Sequence, residues 1–407
     1  MAGRISVDEH AAFIRSLLAG LGARPSERVA LADALGRITA SPVESPIPLP
    51  PFRNSQMDGF AVRAVDVADA PVTLPIAGEV AAAAGTPAPL APGTAVRIMT
   101  GAAVPVGADA IVPVEDTEPD GEGKLDVDVD VDGVRILRAR AAGAFVREAG
   151  SDLAAGADVL PPGLRLASRH LAAAAASGLT ELLVREHVRV AVVSTGSELV
   201  EPGAPLGPGE IPDANGVALA SAVRAAGALV VHSGRVRDDV ARLRAELDAA
   251  VDAGAELVVT SGGISMGAYE VVRELLEPLG AWVGSVAMQP GGPQATAAYR
   301  GMPVVCFPGN PVSAQLSFEL FVAPALRAIA GLPPARTERL VLAEDVRSMA
   351  GKRQFLRGRP TADGRVVPVG GAGSHLVATL AASELLIVVP EDVEALDAGA
   401  IVDTVFL

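Results

Sequence analysis

Between residues 188 and 317, short apolar runs alternate with helical stretches, and the links joining them are brief. Residues 188–193, 228–232, 257–260 and 303–307 read as strands; 217–226, 238–253, 269–279 and a run from Pro311 read as helices. Parallel strands cannot be joined by a hairpin and need a crossover, which a helix supplies. The alternation therefore predicts a parallel, doubly wound α/β sheet. In such a sheet ligands settle beyond the carboxyl ends of the strands, so function is sought in the turns there.

Three of those turns are rich in glycine and small polar residues. They read Ser194-Thr195-Gly196-Ser197-Glu198, Ser261-Gly262-Gly263-Ile264-Ser265-Met266-Gly267 and Pro308-Gly309-Asn310-Pro311-Val312-Ser313. Glycine admits a ligand close to the backbone, and hydroxyls with free helix-start amides suit phosphate oxygens. One such turn is an ordinary link; three along one sheet edge favour a phosphorylated ligand. Asn310 and Pro311 suit the N-cap and first position of a helix. There is no GxxxxGK[ST] loop and no GxGxxG after the first strand, which argues against a P-loop NTPase or a standard dinucleotide enzyme. Carboxylates at helix or loop starts are the metal candidates: Asp213, the pair Asp238 and Asp239 (one free to cap a helix while the other faces a ligand), and Glu270. Mg²⁺ typically takes one or two protein carboxylates plus ligand phosphates. That would reconcile an acidic protein with an anionic substrate.

A chain of 407 residues predicts roughly two to four domains. Ser6-Val7-Asp8-Glu9 is a capping box opening a helix with Phe13, Ile14, Leu17 and Leu18 at helical spacing, and a second helix is expected over 26–36. Prolines 42, 46, 48, 50 and 51 mark a boundary. Residues 53–147 follow as short strands (72–76, 95–99, 110–114, 125–137), in which 126–132 alternate Asp and Val as a strand with a solvated acidic face. An alanine-rich helix is expected over 165–179, and beyond residue 332 strands at 340–343, 355–357, 366–369, 385–389 and 401–405 predict a small β domain or barrel. Acids outnumber bases 48 to 33, for a net charge of −15, which argues against a nucleic-acid or anionic-membrane partner. The only cysteine, Cys306, falls in a buried strand and reads as inert packing; with five scattered histidines, neither a disulfide nor a multi-cysteine zinc site is expected. No signal peptide or spanning segment is read, so a cytoplasmic location is expected.

With these motifs in place, a family resemblance emerges. Asn54-Ser55-Gln56-Met57-Asp58-Gly59-Phe60-Ala61-Val62 resembles the NSxMDGYAV signature of the molybdopterin molybdenumtransferases, the family of MoeA and the gephyrin E domain. Arg97–Ala102, Gly107–Pro113, Arg147–Asp152, the three glycine turns, Arg353–Gly358 and Gly373-Ser374-His375 follow in the family's order and span nearly the whole chain. The resemblance implies a multidomain α+β fold: a split helical domain (1–45 plus 148–185), an inserted β domain (46–147), a central doubly wound α/β molybdopterin-binding domain (186–331) and a C-terminal small β domain or barrel (332–407). It also implies a homodimer whose cleft uses both subunits. The implied reaction belongs to molybdenum cofactor biosynthesis: molybdate enters adenylylated molybdopterin with Mg²⁺ assistance and AMP leaves. An upstream adenylyltransferase and downstream molybdoenzymes are the implied protein partners. Carried over residue by residue, Asp58, Thr100 and Glu198 would be catalytic, and Asp238 and Glu270 would hold metal. Ser194, Thr195, Gly196, Ser261, Gly262, Gly263, Ser265, Pro308, Gly309, Asn310, Ser313, Arg353 (or Arg357) and Ser374 would bind substrate.

The chain departs from the family where many members carry KPGKP; here Gln289-Pro290-Gly291-Gly292-Pro293 puts Gln and Gly at the two lysine positions. Ala268 and Glu270 stand where Asp is common. These departures keep open a second reading, a non-catalytic molybdopterin-binding paralogue or carrier. The inserted and C-terminal β domains argue against a third, the upstream adenylyltransferase.

Overall fold

A computed structural model describes residues 4–119, 132–264 and 271–407. The chain forms two compact units, Arg28–Val184 and Met1–Glu27 with Arg185–Leu407.

The first unit is built on a six-stranded sheet. Its strands are β1 (Gly59–Val62), β2 (Val72–Val80), β3 (Ala95–Ile98), β4 (Ala110–Pro113), β5 (Thr117–Pro119) and β6 (Gly133–Ile136), in the order β4-β1-β3-β2-β6-β5. Phe60, Val62, Ala110 and Val112 bury one face and Ala61, Ile98 and Ile111 the other. Gly59 is required at its position, because a Cβ there would lie 2.0 Å from the Val112 carbonyl oxygen. The helix expected over 26–36 does not form: Ser26–Ala30 is a strand and Leu31–Asp33 a 3₁₀ turn. Pairing with the strand Glu181–Arg185 overrides the helical pattern of that segment. The alanine-rich helix is real but shorter than expected, Ser168–Ala176. The alternating Asp/Val run lies, apart from Asp132, outside the described residues.

In the second unit the capping box opens helix α1 (Val7–Leu17) as the sequence predicts. Ser6 Oγ accepts from the Glu9 amide, and the Glu9 carboxylate accepts from the Ser6 amide. Then come β7 (Arg189–Thr195), α2 (Ala214–Ala225), β8 (Leu229–Val236), α3 (Val240–Asp252), β9 (Leu257–Ser261), α4 (Val271–Leu276), β10 (Trp282–Ser285), β11 (Pro293–Tyr299), β12 (Met302–Phe307) and a long helix α5 (Pro311–Ile329) with a π turn at Phe318–Val322. The sheet order is β8-β7-β9-β12-β11-β10, parallel across the first four strands. Its other edge is antiparallel, an addition the sequence pattern did not reveal. Along the parallel strands alternate residues enter two cores. Val190, Val192, Val259, Val305 and Phe307 join α1, α2 and α5, while Ala191, Val193, Val258, Val304 and Cys306 join α3 and α4. This two-sided burial is why these strands read as continuous apolar runs. Helix α5 is long and apolar enough to cross a membrane, but its apolar side chains serve the first of these cores.

The chain ends in a closed five-stranded barrel of β13 (Thr337–Leu342), β14 (Arg353–Pro360), β15 (Arg365–Pro368), β16 (Leu385–Val389) and β17 (Ile401–Phe406). The two-residue strand Met288–Gln289 pairs in parallel with the start of β14 and joins barrel to α/β layer.

Candidate functional site

Ser194 of β7 lies opposite Ser261 of β9, and Ser261 opposite Phe307 of β12. The three carboxyl ends are therefore flush, and the three glycine turns leave the sheet at one level. The first strand, β7, has β8 on one side and β9 on the other, so the strand order reverses there. Such a reversal opens a crevice between neighbouring connections. A cleft of about 900 Å³ occupies that place. Its wall includes Thr195, Gly196, Glu198, Asp238, Gly262, Gly263, Pro308, Gly309, Asn310, Ser313 and Ser374.

The local geometry shows why these residue types are needed. Gly262 and Gly263 have positive φ, and a Cβ on Gly262 would lie 2.4 Å from the Thr195 carbonyl oxygen. Gly309 in turn approaches Gly262 so closely that its Cβ would meet the Gly262 Cα at 3.4 Å. The turns thus pack backbone against backbone. Ser194 and Ser261 are buried beneath them with their hydroxyls facing one another at 3.5 Å, so they support the cleft without lining it.

The acidic pair Asp238 and Asp239 resolves into separate roles, and Asp213 takes one of them. Asp239 caps α3 by accepting from the Arg242 amide, and Asp213 caps α2 by accepting from the Gly216 amide. Asp238 is left facing the first turn, where it accepts from the Ser197 amide at 3.0 Å while Ser197 Oγ accepts from the Asp238 amide. Glu198 and Asp238 both line the cleft, whereas no lysine or arginine is found among its described lining residues. No group of three or more His, Cys, Asp or Glu gathers anywhere among the described residues. A divalent cation at Glu198 and Asp238 would draw its remaining ligands from substrate oxygens and water, as Mg²⁺ commonly does.

The barrel contributes the far wall. Arg357 of β14 is buried, and its guanidinium donates to the carbonyls of Gly371 and Gly373. It therefore shapes the loop that carries Ser374 and His375 into the cleft, while the Ser374 carbonyl accepts from the Val312 amide at the start of α5. Arg353 is not brought to the cleft. Its guanidinium spans both Asp8 oxygens at 2.8 and 2.9 Å and reaches Glu391 at 3.1 Å. Gln289 does line the cleft, and its Oε1 accepts from the buried Gln354 Nε2 at 2.9 Å. Sequence reasoning had not singled out Asn215 as a site residue. It lines the cleft, where its Nδ2 donates to the Gly309 carbonyl at 2.7 Å. The Asp-Ala-Asn spacing before α2 was the available signal, since a cap at Asp213 puts Asn215 in the first turn.

Asp58 and Thr100 belong to the other unit, where they meet. Asp58 Oδ1 accepts from both the amide and the hydroxyl of Thr100, at 2.6 and 2.7 Å, and the hydroxyl bond foremost holds the carboxyl below its ordinary range. Ser265 and Glu270 lie outside the described residues. Cys306 is buried in the apolar core, which pushes its thiol up to about 12 and leaves it inert, as the sequence suggests.

An α/β layer with its cleft at the strand reversal, attached to a small barrel, defines a ligand-binding α/β protein, and comparison with known proteins supplies the ligand class. Residues 191–328 match the family described as a probable molybdopterin binding domain, 5–178 the MoeA N-terminal region (domain I and II) and 339–407 the MoeA C-terminal region (domain IV). The chain is 44% identical to molybdopterin molybdenumtransferase 2 of Mycobacterium tuberculosis, with 97% of each chain covered. It is 35% identical to the molybdopterin molybdenumtransferase of Synechococcus elongatus over 97% of this chain and 98% of that one. The crystal structure of a MoeA molybdopterin biosynthesis protein from Pyrococcus horikoshii superposes with a TM-score of 0.80 at 32% identity, covering 99% of both chains. The chain belongs to the MoeA family of molybdopterin molybdenumtransferases.

Proposed function

We propose that this protein is an active molybdenumtransferase of molybdenum cofactor biosynthesis, inserting molybdate into adenylylated molybdopterin and releasing AMP. The observation that carries the reading is the convergence of three glycine turns and two carboxylates that cap no helix, Glu198 and Asp238, on one cleft at the strand reversal. Thr195, Ser313, Ser374 and the glycine amides would hold the substrate's polar atoms. Glu198 and Asp238 would hold Mg²⁺, which when bound supplies positive charge that the described cleft wall, without lysine or arginine, does not. Asp58 and Thr100, hydrogen-bonded to each other, are the further catalytic residues of this reading. The split helical domain, inserted β domain, molybdopterin-binding domain and barrel remain our division of the chain, supported by the three family regions. A homodimer in the cytoplasm, working between an adenylyltransferase and the molybdoenzymes, fits the same reading.

Incubation with adenylylated molybdopterin, Mg²⁺ and molybdate tests it. AMP release that depends on molybdate is the expected result. Binding of the pterin nucleotide without release would favour a carrier.

A further inference from the structure

Behind the first glycine turn lies a second, smaller cleft of about 560 Å³. It shares Gly196 and Leu199 with the main cleft, so one turn separates the two. Its lining includes the apolar residues Leu199, Val200, Ala204, Val236 and Ala245 together with Arg235, Arg237 and Arg242. Two carboxylates also face it, but both are engaged. Glu201 accepts from Arg235 at 2.9 Å, and Glu246 accepts from His232 at 2.7 Å. Arg237 and Arg242 have no side-chain partner among the described residues and both are exposed. The small cleft therefore holds two uncommitted cations in a protein of net charge −15, directly beside a cleft whose described lining residues include carboxylates and no lysine or arginine.

We propose that Arg237 and Arg242 form an anion subsite that takes a phosphate group at the edge of the main cleft. The ligand class rests on the function proposed above. Guanidinium groups bind phosphate through paired N–H donors, and the apolar side chains that line the same cleft suit the flat or aliphatic body to which a phosphate is attached. The phosphate has two possible sources: the nucleotide portion of the substrate or product, and a free tetrahedral oxyanion gathered before it enters the main cleft.

The test is isothermal titration of the full-length protein with AMP and, separately, with inorganic phosphate. Wild type is compared with Arg237→Gln/Arg242→Gln and with Arg237→Lys/Arg242→Lys, after thermal melts have matched all three. The glutamine pair should weaken binding by about tenfold or more, the scale of losing two charge-assisted contacts, and the lysine pair should recover part of it. Weakening of both probes supports a site for the free oxyanion. Weakening of AMP alone supports a nucleotide site. Unchanged affinity for both overturns the subsite. Molybdate-dependent AMP release by wild type is measured alongside. If it occurs while the glutamine pair binds both probes normally, the subsite fails and the function stands. If wild type releases no AMP but the glutamine pair still weakens phosphate binding, the function fails and the subsite stands.

Discussion

Gly292 and Gln289 stand where the family resemblance places lysines, and the structure separates the two positions as probes. Gln289 is already committed: a lysine there would remove the acceptor for Gln354 Nε2, whose own Oε1 is buried without a partner. Gly292 has no positive φ, and a Cβ built on it comes no closer than 3.4 Å to any neighbour. Gly292→Lys should therefore fold normally and tighten molybdate binding by about 1–3 kcal/mol, the scale of one charge-assisted contact. Titration with molybdate in the presence of the pterin nucleotide measures it, and unchanged affinity would place the loop away from the oxyanion. Asp58 needs a different design, because its carboxylate also ties two turns together through Thr100. Asp58→Asn keeps an oxygen acceptor for both hydrogen bonds and removes only the charge. Molybdate-dependent AMP release should fall about tenfold or more, near 1.4 kcal/mol of barrier, with an unchanged melting temperature. If turnover survives, Asp58 is a turn-former.

Among the elements, α1 shows what the sequence states and what it conceals. Its start was legible, because a capping box is a local signal carried by Ser6 and Glu9 alone. Its docking was not, because the partners are distant in sequence. His10 is fully buried with its ring packed edge-on to Phe321 at 4.6 Å and beside Trp282 at 5.2 Å, and neither ring nitrogen has a partner. Burial lowers its pKa from the ordinary 6.5 to about 4. Between those values the unfolded chain binds the proton and the folded chain does not. Stability is therefore full above pH 6.5 and declines as pH falls towards 4, by roughly 3 kcal/mol at the limit. His10→Phe keeps an aromatic ring and should flatten this decline in melts between pH 7.5 and 4.5; equal slopes would contradict the burial argument. At the same helix, Arg353 grips Asp8 and Glu391. Arg353→Gln should lower stability by about 1 kcal/mol, as expected for a half-exposed network. A loss of molybdate affinity with no change in melting would instead support the oxyanion role that the resemblance implies. The strand at Ser26–Ala30 and the antiparallel edge β10–β11 were missed for a common reason: strand pairing is non-local, and neither segment declares its partner.

For the whole molecule, the α/β layer and its three turns were legible because two-sided burial writes itself into apolar runs and glycine writes itself into tight turns. What sequence could not supply was the sorting of equivalent residues: Asp238 into the cleft and Asp239 into a cap, Ser313 onto the wall and Ser194 beneath it. Those outcomes depend on register and helix start to within one residue. The residues that the resemblance makes catalytic fall in both compact units, Asp58 and Thr100 in one and Glu198 in the other, where Asp238 also lies. If the active assembly is a homodimer whose cleft uses both subunits, Asp58 of one chain serves the Asp238 of its partner. Asp58→Asn and Asp238→Asn dimers would then each be nearly inactive, since every cleft lacks one charged group. Dissociated and reassociated together at equal amounts, half the dimers become mixed. By two-fold symmetry each mixed dimer has one cleft with both groups intact and one with neither. Molybdate-dependent AMP release should rise from near zero to about a quarter of wild type. Analytical ultracentrifugation before mixing should give a dimer mass. A monomer that retains activity, or a reassociated mixture as inactive as its parents, would show that each cleft is assembled within a single chain.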